Sequence, residues 1–200
     1  MQPATPVCDK AHVKKRTSEG LTMTSRRMLV VATMGLALAV VGSAAISAQG
    51  KYALKLPGGI VFSDFRGYGD WQLISVAKTD DRMKAILGNP TIIAAFKSGI
   101  PGNGKPFPEG SKIAKVQWKP KKSTEAPFVV DVPDTLADLF FMEKDSKRFS
   151  DTGGWGYAQF DYDPASATYT ADKAGTPNCG NVCHVKVKAK NYVFHPYQNR

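Results

Sequence analysis

Short apolar runs with β-branched and aromatic members recur after residue 70, and such runs predict strands. Four of them are bounded by turn residues: WQLISVA (Trp71–Ala77), SKIAKVQW (Ser111–Trp118), LADLFFMEK (Leu136–Lys144) and GWGYAQFDY (Gly154–Tyr162). APFVVDV (Ala126–Val132) is a further strand candidate, and RMKAILG (Arg82–Gly88) fits a strand or a helix. A last apolar and aromatic segment, YVFHPY, covers Tyr192–Tyr197.

One segment carries the signals of a short helix. In NPTIIAAFKSG, Asn89 suits the N-cap, Pro90 the first helical position, and Gly99 the end. The next segment, IPGNGKPFPEG (Ile100–Gly110), is dense in Pro and Gly and predicts turns. Strands thus outnumber helices. The pattern predicts a mainly β (α+β) fold, an antiparallel sheet domain with short peripheral helices.

The first fifty residues differ from the rest. Arg26 and Arg27 precede an apolar run of 14 residues (28–41), and small residues follow it. This order is typical of a secretory signal peptide, and the run is shorter than the roughly 20 residues that span a membrane. We therefore expect a cleaved signal at 23–48, an upstream mis-start or disordered stretch at 1–22, and one domain at 51–200. The export would place the mature protein in the periplasm, free of the membrane.

The net charge of the chain is positive, and the first fifty residues carry part of it. The chain has a net charge of +10; residues 1–50 hold six Lys or Arg and two acidic residues, which leaves +6 for residues 51–200. Lys119, Lys121 and Lys122 are interrupted by Pro120, as in a solvated loop. Nucleic-acid binding would require a longer basic stripe with aromatic platforms. The charge favours an acidic redox partner, such as another cytochrome, or a role in solubility alone, over nucleic-acid binding.

The chemistry-bearing motif is CGNVCH, which runs from Cys179 to His184. Cys-x-x-Cys-His in an exported protein is the attachment signature of a c-type haem, and CGNVCH is this pattern with one more residue, three in all, between its cysteines. Two thiols one helical turn apart reach the two vinyl groups, and the histidine that follows points its imidazole at the iron. The motif predicts one covalently attached haem c, with Cys179 and Cys183 as the thioether residues and His184 as the proximal iron ligand.

Other interpretations of the motif account for less of the sequence. A disulfide needs no following histidine, and a thioredoxin-like pair would follow a βαβ unit. A zinc site would need two more ligands. If the protein were an electron carrier, a sixth ligand would come from Met83, Met142 or His195. Met142 and His195 lie among apolar residues that favour packing, so we expect an open distal site.

The order of these segments resembles that of a known family. A signal peptide, a β-rich domain, FPEGSKIAKVQWK (107–119), MEKDSKRFSDTGGWGYAQF (142–160), the lone motif CGNVCH and YVFHPY together are similar to the cytochrome P-460 family, which includes the cytochromes c'-beta. The resemblance covers Trp71–Tyr197. It implies a mostly antiparallel β fold, a homodimer and a five-coordinate haem iron.

The resemblance also implies roles for residues upstream of the motif. In hydroxylamine-oxidising members a lysine after a Gly-Ser/Thr turn is bonded to a haem meso carbon, and counting from Gly110 gives Lys115. Lys112 and Lys115 point to opposite faces of a strand. Those members also hold a distal carboxylate, whose matching position here is Phe140, or Phe141 if the count shifts by one. An aromatic cap resembles the cytochrome c'-beta branch and favours diatomic gases.

Three functions follow as hypotheses. The first is a periplasmic haem protein with a hydrophobic distal cap that binds or processes small nitrogen oxides, as a nitric oxide carrier or scavenger. The second is a hydroxylamine- or nitric oxide-oxidising enzyme with a lysine–haem crosslink. The third is a simple electron-transfer cytochrome with Met142 or His195 as the sixth ligand.

Overall fold

The computed structural model describes residues 50–56, 59–172 and 176–198, with side chains from residue 180 onward in the last range. The predicted signal peptide and the stretch before it lie outside these residues. Within them, six strands form one antiparallel sheet in which each strand pairs with its neighbour in sequence. The strands are β1 (Gln72–Lys78), β2 (Met83–Gly88), β3 (Lys112–Lys122), β4 (Asp131–Lys144), β5 (Trp155–Asp163) and β6 (Thr168–Ala171).

Short helices flank this sheet. Helix α1 covers Pro90–Lys97, and the Asn89 side chain caps it by accepting the Ile92 N–H. Helix α2 covers Thr176–His184 and carries the CGNVCH motif. The 3-10 helices lie at Lys51–Ala53, Phe62–Phe65, Tyr68–Asp70, Ser150–Thr152 and Val185–Lys190. No helix in the described part of the chain is long and apolar enough to cross a membrane.

The predicted fold class is confirmed, and two details of the prediction are wrong. Most of APFVVDV is the turn that joins β3 to β4, where Phe128 and Val129 are 68% and 81% exposed. Apolar runs at a hairpin tip have the composition of a strand but lack a partner. Strand β6 was not predicted, because TYTA is short and lies at the sheet edge. RMKAILG forms the strand β2.

The two faces of the sheet bury different cores. On one face, residues of β3, β4 and β5 such as Ala114, Phe141 and Phe160 pack with the aromatic residues of the N-terminal 3-10 helices. On the other face, Ile113, Met142 and their neighbours pack with helix α1 and with residues 192–193. We name these the N-terminal core and the C-terminal core. The second of them borders the functional cavity.

The strand register puts four side chains in one row. Ile86 pairs with Lys115, Lys115 with Phe140, and Phe140 with Gln159. Directly paired residues of antiparallel strands point to the same face. The row therefore crosses the sheet on the face of the C-terminal core.

Candidate functional site

A cavity of about 210 Å³ lies between this face of the sheet and helix α2. The sheet wall carries the row of four side chains just described, together with Ile113, Met142 and Tyr157. The opposite wall is formed by Gly180, Cys183 and His184 of α2 and by residues 193–195. The register thus brings Lys115 and Phe140 to the same cavity as Cys183 and His184, although about 40–70 residues separate them in sequence.

The surroundings of His184 favour the neutral form of its imidazole that can bind a metal ion. Its Nδ1 lies 2.6 Å from the carbonyl oxygen of Tyr192. Because a carbonyl only accepts hydrogen bonds, Nδ1 carries the proton and Nε2 keeps its lone pair. Burial lowers the pKa of His184, so the imidazole stays neutral, as metal binding requires.

Of the two cysteines of the motif, Cys183 has a described side chain and Cys179 does not. Cys183 is an exposed free thiol that precedes His184 and lines the cavity. The side chain of Cys179 lies outside the described residues, although its backbone belongs to α2. Gly180 packs against β5 so closely that a Cβ there would lie 2.5 Å from the Cβ and Cγ atoms of Tyr157. This contact holds the motif helix against the sheet.

Lys115 and Phe140 form a pair on the sheet wall. The Lys115 Nζ lies 3.8 Å from the centroid of the Phe140 ring, within the range of a cation–π contact. Burial, followed by the nearby charge of Lys84, lowers the pKa of Lys115 to about 8. An amine with this pKa has a substantial neutral, nucleophilic fraction near neutral pH.

The two candidate cap residues point to opposite faces. Phe140 is half-buried and its ring faces Lys115. The ring of Phe141 stacks on Phe65 at a centroid distance of 4.1 Å in the N-terminal core and is 1% exposed. Phe141 borders the cavity, but its ring is committed to the opposite side of the sheet. The structure thus separates two positions that the sequence left interchangeable.

A row of three polar residues crosses the sheet next to the row that contains Lys115 and Phe140. Gln117 pairs with Asp138, and Asp138 with Asp161, one step of two residues beyond Lys115 and Phe140. The Gln117 side chain donates to the Asp138 carboxylate at 2.6 Å. Burial raises the pKa of Asp138. Gln159, which lines the cavity, donates to Asp161 at 2.8 Å.

Of the sixth-ligand candidates, Met142 and His195 line the cavity. Met142 is 7% exposed and packs in the C-terminal core. Burial lowers the pKa of His195, as does the charge of Lys115.

Three groups of the site were not predicted from the sequence: the side chains of Tyr157 and Gln159 and the carbonyl of Tyr192. Tyr157 and Gln159 could have been found as residues that share a strand face in GWGYAQFDY. The carbonyl had no signal in the sequence, because every residue has one.

The residues of this cavity fit a haem. A neutral histidine with one free ring nitrogen, next to a thiol at the wall of a mainly apolar cavity, is a donor set that haem iron uses. Buried among these walls is the Tyr157 hydroxyl, which has no hydrogen-bond partner among the described residues. A polar cofactor edge would satisfy such a group. Among the described side chains, no three His, Cys, Asp or Glu converge on a bare metal ion.

A comparison with models of protein families identifies the family of this chain. The family model described as Cytochrome P460 matches residues 65–195, which is more than half of the chain. The chain belongs to the cytochrome P460 family. No protein of curated function matches it significantly. As a cytochrome P460, it is a haem protein of a family that acts on nitrogen compounds, and the iron of that haem is its metal. The matched range includes Lys115, Phe140 and the whole motif.

Proposed function

We propose that this chain is an exported c-type haem protein that binds nitric oxide or a related small nitrogen oxide at an open iron site. In this proposal Cys179 and Cys183 hold one haem covalently and His184 ligates the iron. The haem supplies an iron that binds small ligands. The observation that carries the proposal is the aromatic side chain of Phe140 in the cavity of His184, at the position where the oxidising members hold a carboxylate.

The cavity wall supports gas binding over proton-coupled oxidation. Its described lining includes no Asp or Glu. A phenyl ring cannot accept the protons that hydroxylamine must lose on oxidation. An apolar wall also disfavours anions and water, which lose hydration on entry, whereas a neutral diatomic gas loses little. Phe140 thus serves as a hydrophobic cap that selects the ligand.

A second function is favoured by Lys115. Its amine lies in the same cavity and its pKa is lowered to about 8, chiefly by burial. These properties suit the lysine–haem crosslink of a hydroxylamine- or nitric oxide-oxidising enzyme. In that case Asp138 is our candidate for the proton acceptor, because it is the carboxylate on this face of β4 and its raised pKa favours holding a proton.

The wider setting is also part of the proposal. A signal at 23–48 would deliver the chain to the periplasm, where haem is attached, and the mature protein would be a homodimer. Its redox partner would be acidic, because residues 173–200 contain four Lys and one Arg and no Asp or Glu. Three of these, Lys186, Lys188 and Lys190, are exposed beside the motif helix, and we name them the lysine triplet.

The visible spectrum of purified ferric and ferrous protein tests the proposal. We expect the bands of an ordinary high-spin c-type haem and a change on addition of nitric oxide. A strongly red-shifted ferrous Soret band that Lys115→Ala abolishes would favour the crosslinked enzyme. Sharp low-spin bands would favour the electron carrier, and protein without haem would contradict all three functions.

Intact mass and a matched variant complete this experiment. A lysine–haem bond removes one N–H and one C–H hydrogen, so the mass of a crosslinked protein is lower than that of a protein with thioether links alone. Lys112→Ala is the control, since the Lys112 side chain lies on the opposite face, where its Nζ pairs with Glu143 at 3.2 Å. It should leave the spectrum unchanged.

A further inference from the structure

The carbonyl that orients His184 belongs to an unusual turn. Asn191 has φ 50° and Tyr192 has φ 66°, so two consecutive residues other than glycine adopt the left-handed conformation. Asn tolerates this conformation, but a bulky residue such as Tyr adopts it only at a cost in conformational free energy. Strained backbone of this kind persists only where the surrounding structure holds it.

The first anchor of the turn is the Asn191 side chain. Its Oδ1 accepts the backbone N–H of Phe107 at 3.0 Å. Phe107 is 1% exposed in the C-terminal core, so this acceptor is tied to a fixed point of the domain. The backbone N–H of Asn191 itself donates to Lys188, at the end of the 3-10 helix after α2.

The second anchor is the ring of Tyr192. It is buried over Gly153, where a Cβ would overlap the ring atoms. Gly153 is in turn fixed by Lys144, whose Nζ donates to its carbonyl at 2.9 Å. The peptide between Asn191 and Val193 is therefore held from two sides, and the position of the Tyr192 carbonyl follows from both.

Two further rings limit the rotation of the imidazole. The Tyr157 and Phe194 rings flank that of His184 at centroid distances of 5.0 and 4.8 Å. These rings confine the imidazole, and the Tyr192 carbonyl selects which nitrogen is free. Asn191 is not among the described residues that line the cavity, and its side chain accepts from Phe107, so we argue its effect on His184 through the turn.

We propose that Asn191 is a positioning residue for His184: its side chain holds the left-handed turn whose carbonyl orients the imidazole and raises its basicity toward the iron. The inference rests on the proposed function, because it requires haem at this site. A hydrogen bond at Nδ1–H makes Nε2 a stronger donor to the metal. A stronger axial donor stabilises ferric over ferrous iron and lowers the reduction potential.

The test is Asn191→Gly in the haem-loaded protein. Glycine readily adopts the left-handed conformation, and it removes the side-chain amide that carries the Oδ1 acceptor. We expect a more positive reduction potential, and an iron–histidine stretching band in the ferrous resonance Raman spectrum that is broader and lower in frequency. Asn191→Asp keeps an acceptor oxygen and should retain the parent band. Asn191→Ser reaches Phe107 less well and should shift the band less, which gives a second measurement if the glycine variant does not accumulate.

The control is Asn89→Ala. It removes another Asn acceptor, which receives the Lys112 N–H at 3.0 Å and caps α1, and it leaves the turn intact. We expect a lower melting temperature with an unchanged band. Haem-loaded Asn191→Gly with the parent band and potential would overturn the inference and leave the proposed function standing, as would an equal shift in Asn89→Ala. Parent protein without haem would instead contradict the proposed function.

Discussion

Phe140 and Phe141 are adjacent in sequence, yet truncating them should have opposite consequences. Phe141→Ala should weaken the fold and change the haem site little. Phe140→Ala should do the reverse. The reason is the alternation of β4, which directs the Phe141 ring into the N-terminal core and the Phe140 ring toward Lys115.

The magnitudes follow from burial and ring contacts. Phe141 is 1% exposed, stacks on Phe65 and lies edge-on to Phe62 at 5.2 Å. Truncation of such a core residue costs about 3–5 kcal/mol, and the lost aromatic pairs favour the upper end. Phe140 is half-buried. Its truncation should cost about 1–2 kcal/mol in the free energy of unfolding.

Two assays on the haem-loaded protein separate the effects. Denaturant unfolding followed by circular dichroism gives the free energy of unfolding. Spectra of the ferric protein and titration with nitric oxide report on water and gas at the iron. In Phe140→Ala, water should coordinate ferric iron and compete with gas, so the ferric gas affinity should fall by roughly 5–30-fold, equivalent to about 1–2 kcal/mol.

The opposite assignment of effects to the two variants would refute this prediction. If Phe141→Ala admitted water to the iron while Phe140→Ala did not, the cap would be Phe141, on the face of β4 opposite to the one proposed. If Phe140→Ala left both water access and gas affinity as in the parent, the cavity would have no hydrophobic cap.

Three further predictions concern other parts of the site. Reductive methylation of Lys115, followed by peptide mass spectrometry, should have its midpoint near pH 8, because the amine reacts only when neutral; a midpoint near 10 would contradict the burial argument, and a crosslinked lysine would give no product. Gly180→Ala should cost about 1–3 kcal/mol and lower haem content, because its Cβ collides with β5. Its control, Gly69→Ala, meets no atom within 4 Å and should change neither. Changing the three residues of the lysine triplet to Glu should slow the reduction of the haem by ascorbate. It should also abolish the decrease in this rate that added salt causes in the parent protein. A salt dependence equal to that of the parent would argue against a basic docking surface.

Local signals predicted most of the fold. Asn89 and Pro90 predicted the start of α1 because capping depends on a few adjacent residues. Bounded apolar runs predicted β1, β3, the body of β4 and β5. The error at 126–132 arose because Phe128 and Val129 have strand-like composition, whereas the strand itself begins only where a partner is available, at Asp131.

Less of the candidate site could be predicted from the sequence, because most of it depends on how the strands of the sheet pair. The CGNVCH motif is local, so it was found directly. That Lys115 lies beside Phe140 depends on the register of β3 against β4, and two consecutive phenylalanines give no local sign of which one faces the cavity. The contact of His184 with the Tyr192 carbonyl depends on a backbone conformation that the residue names do not encode.

The division of the sheet into two faces bears on how such a protein can diverge. Side chains that meet the cavity and side chains that fill the N-terminal core alternate along β3 and β4. A change at residue 140 between a phenyl ring and a carboxylate would thus leave the neighbouring core ring at 141 in place. Two nucleotide substitutions suffice to change Phe to Asp, and we expect little loss of folding stability. The proposed gas binding and the oxidation considered as the second function would then be separated by a single residue of the same scaffold.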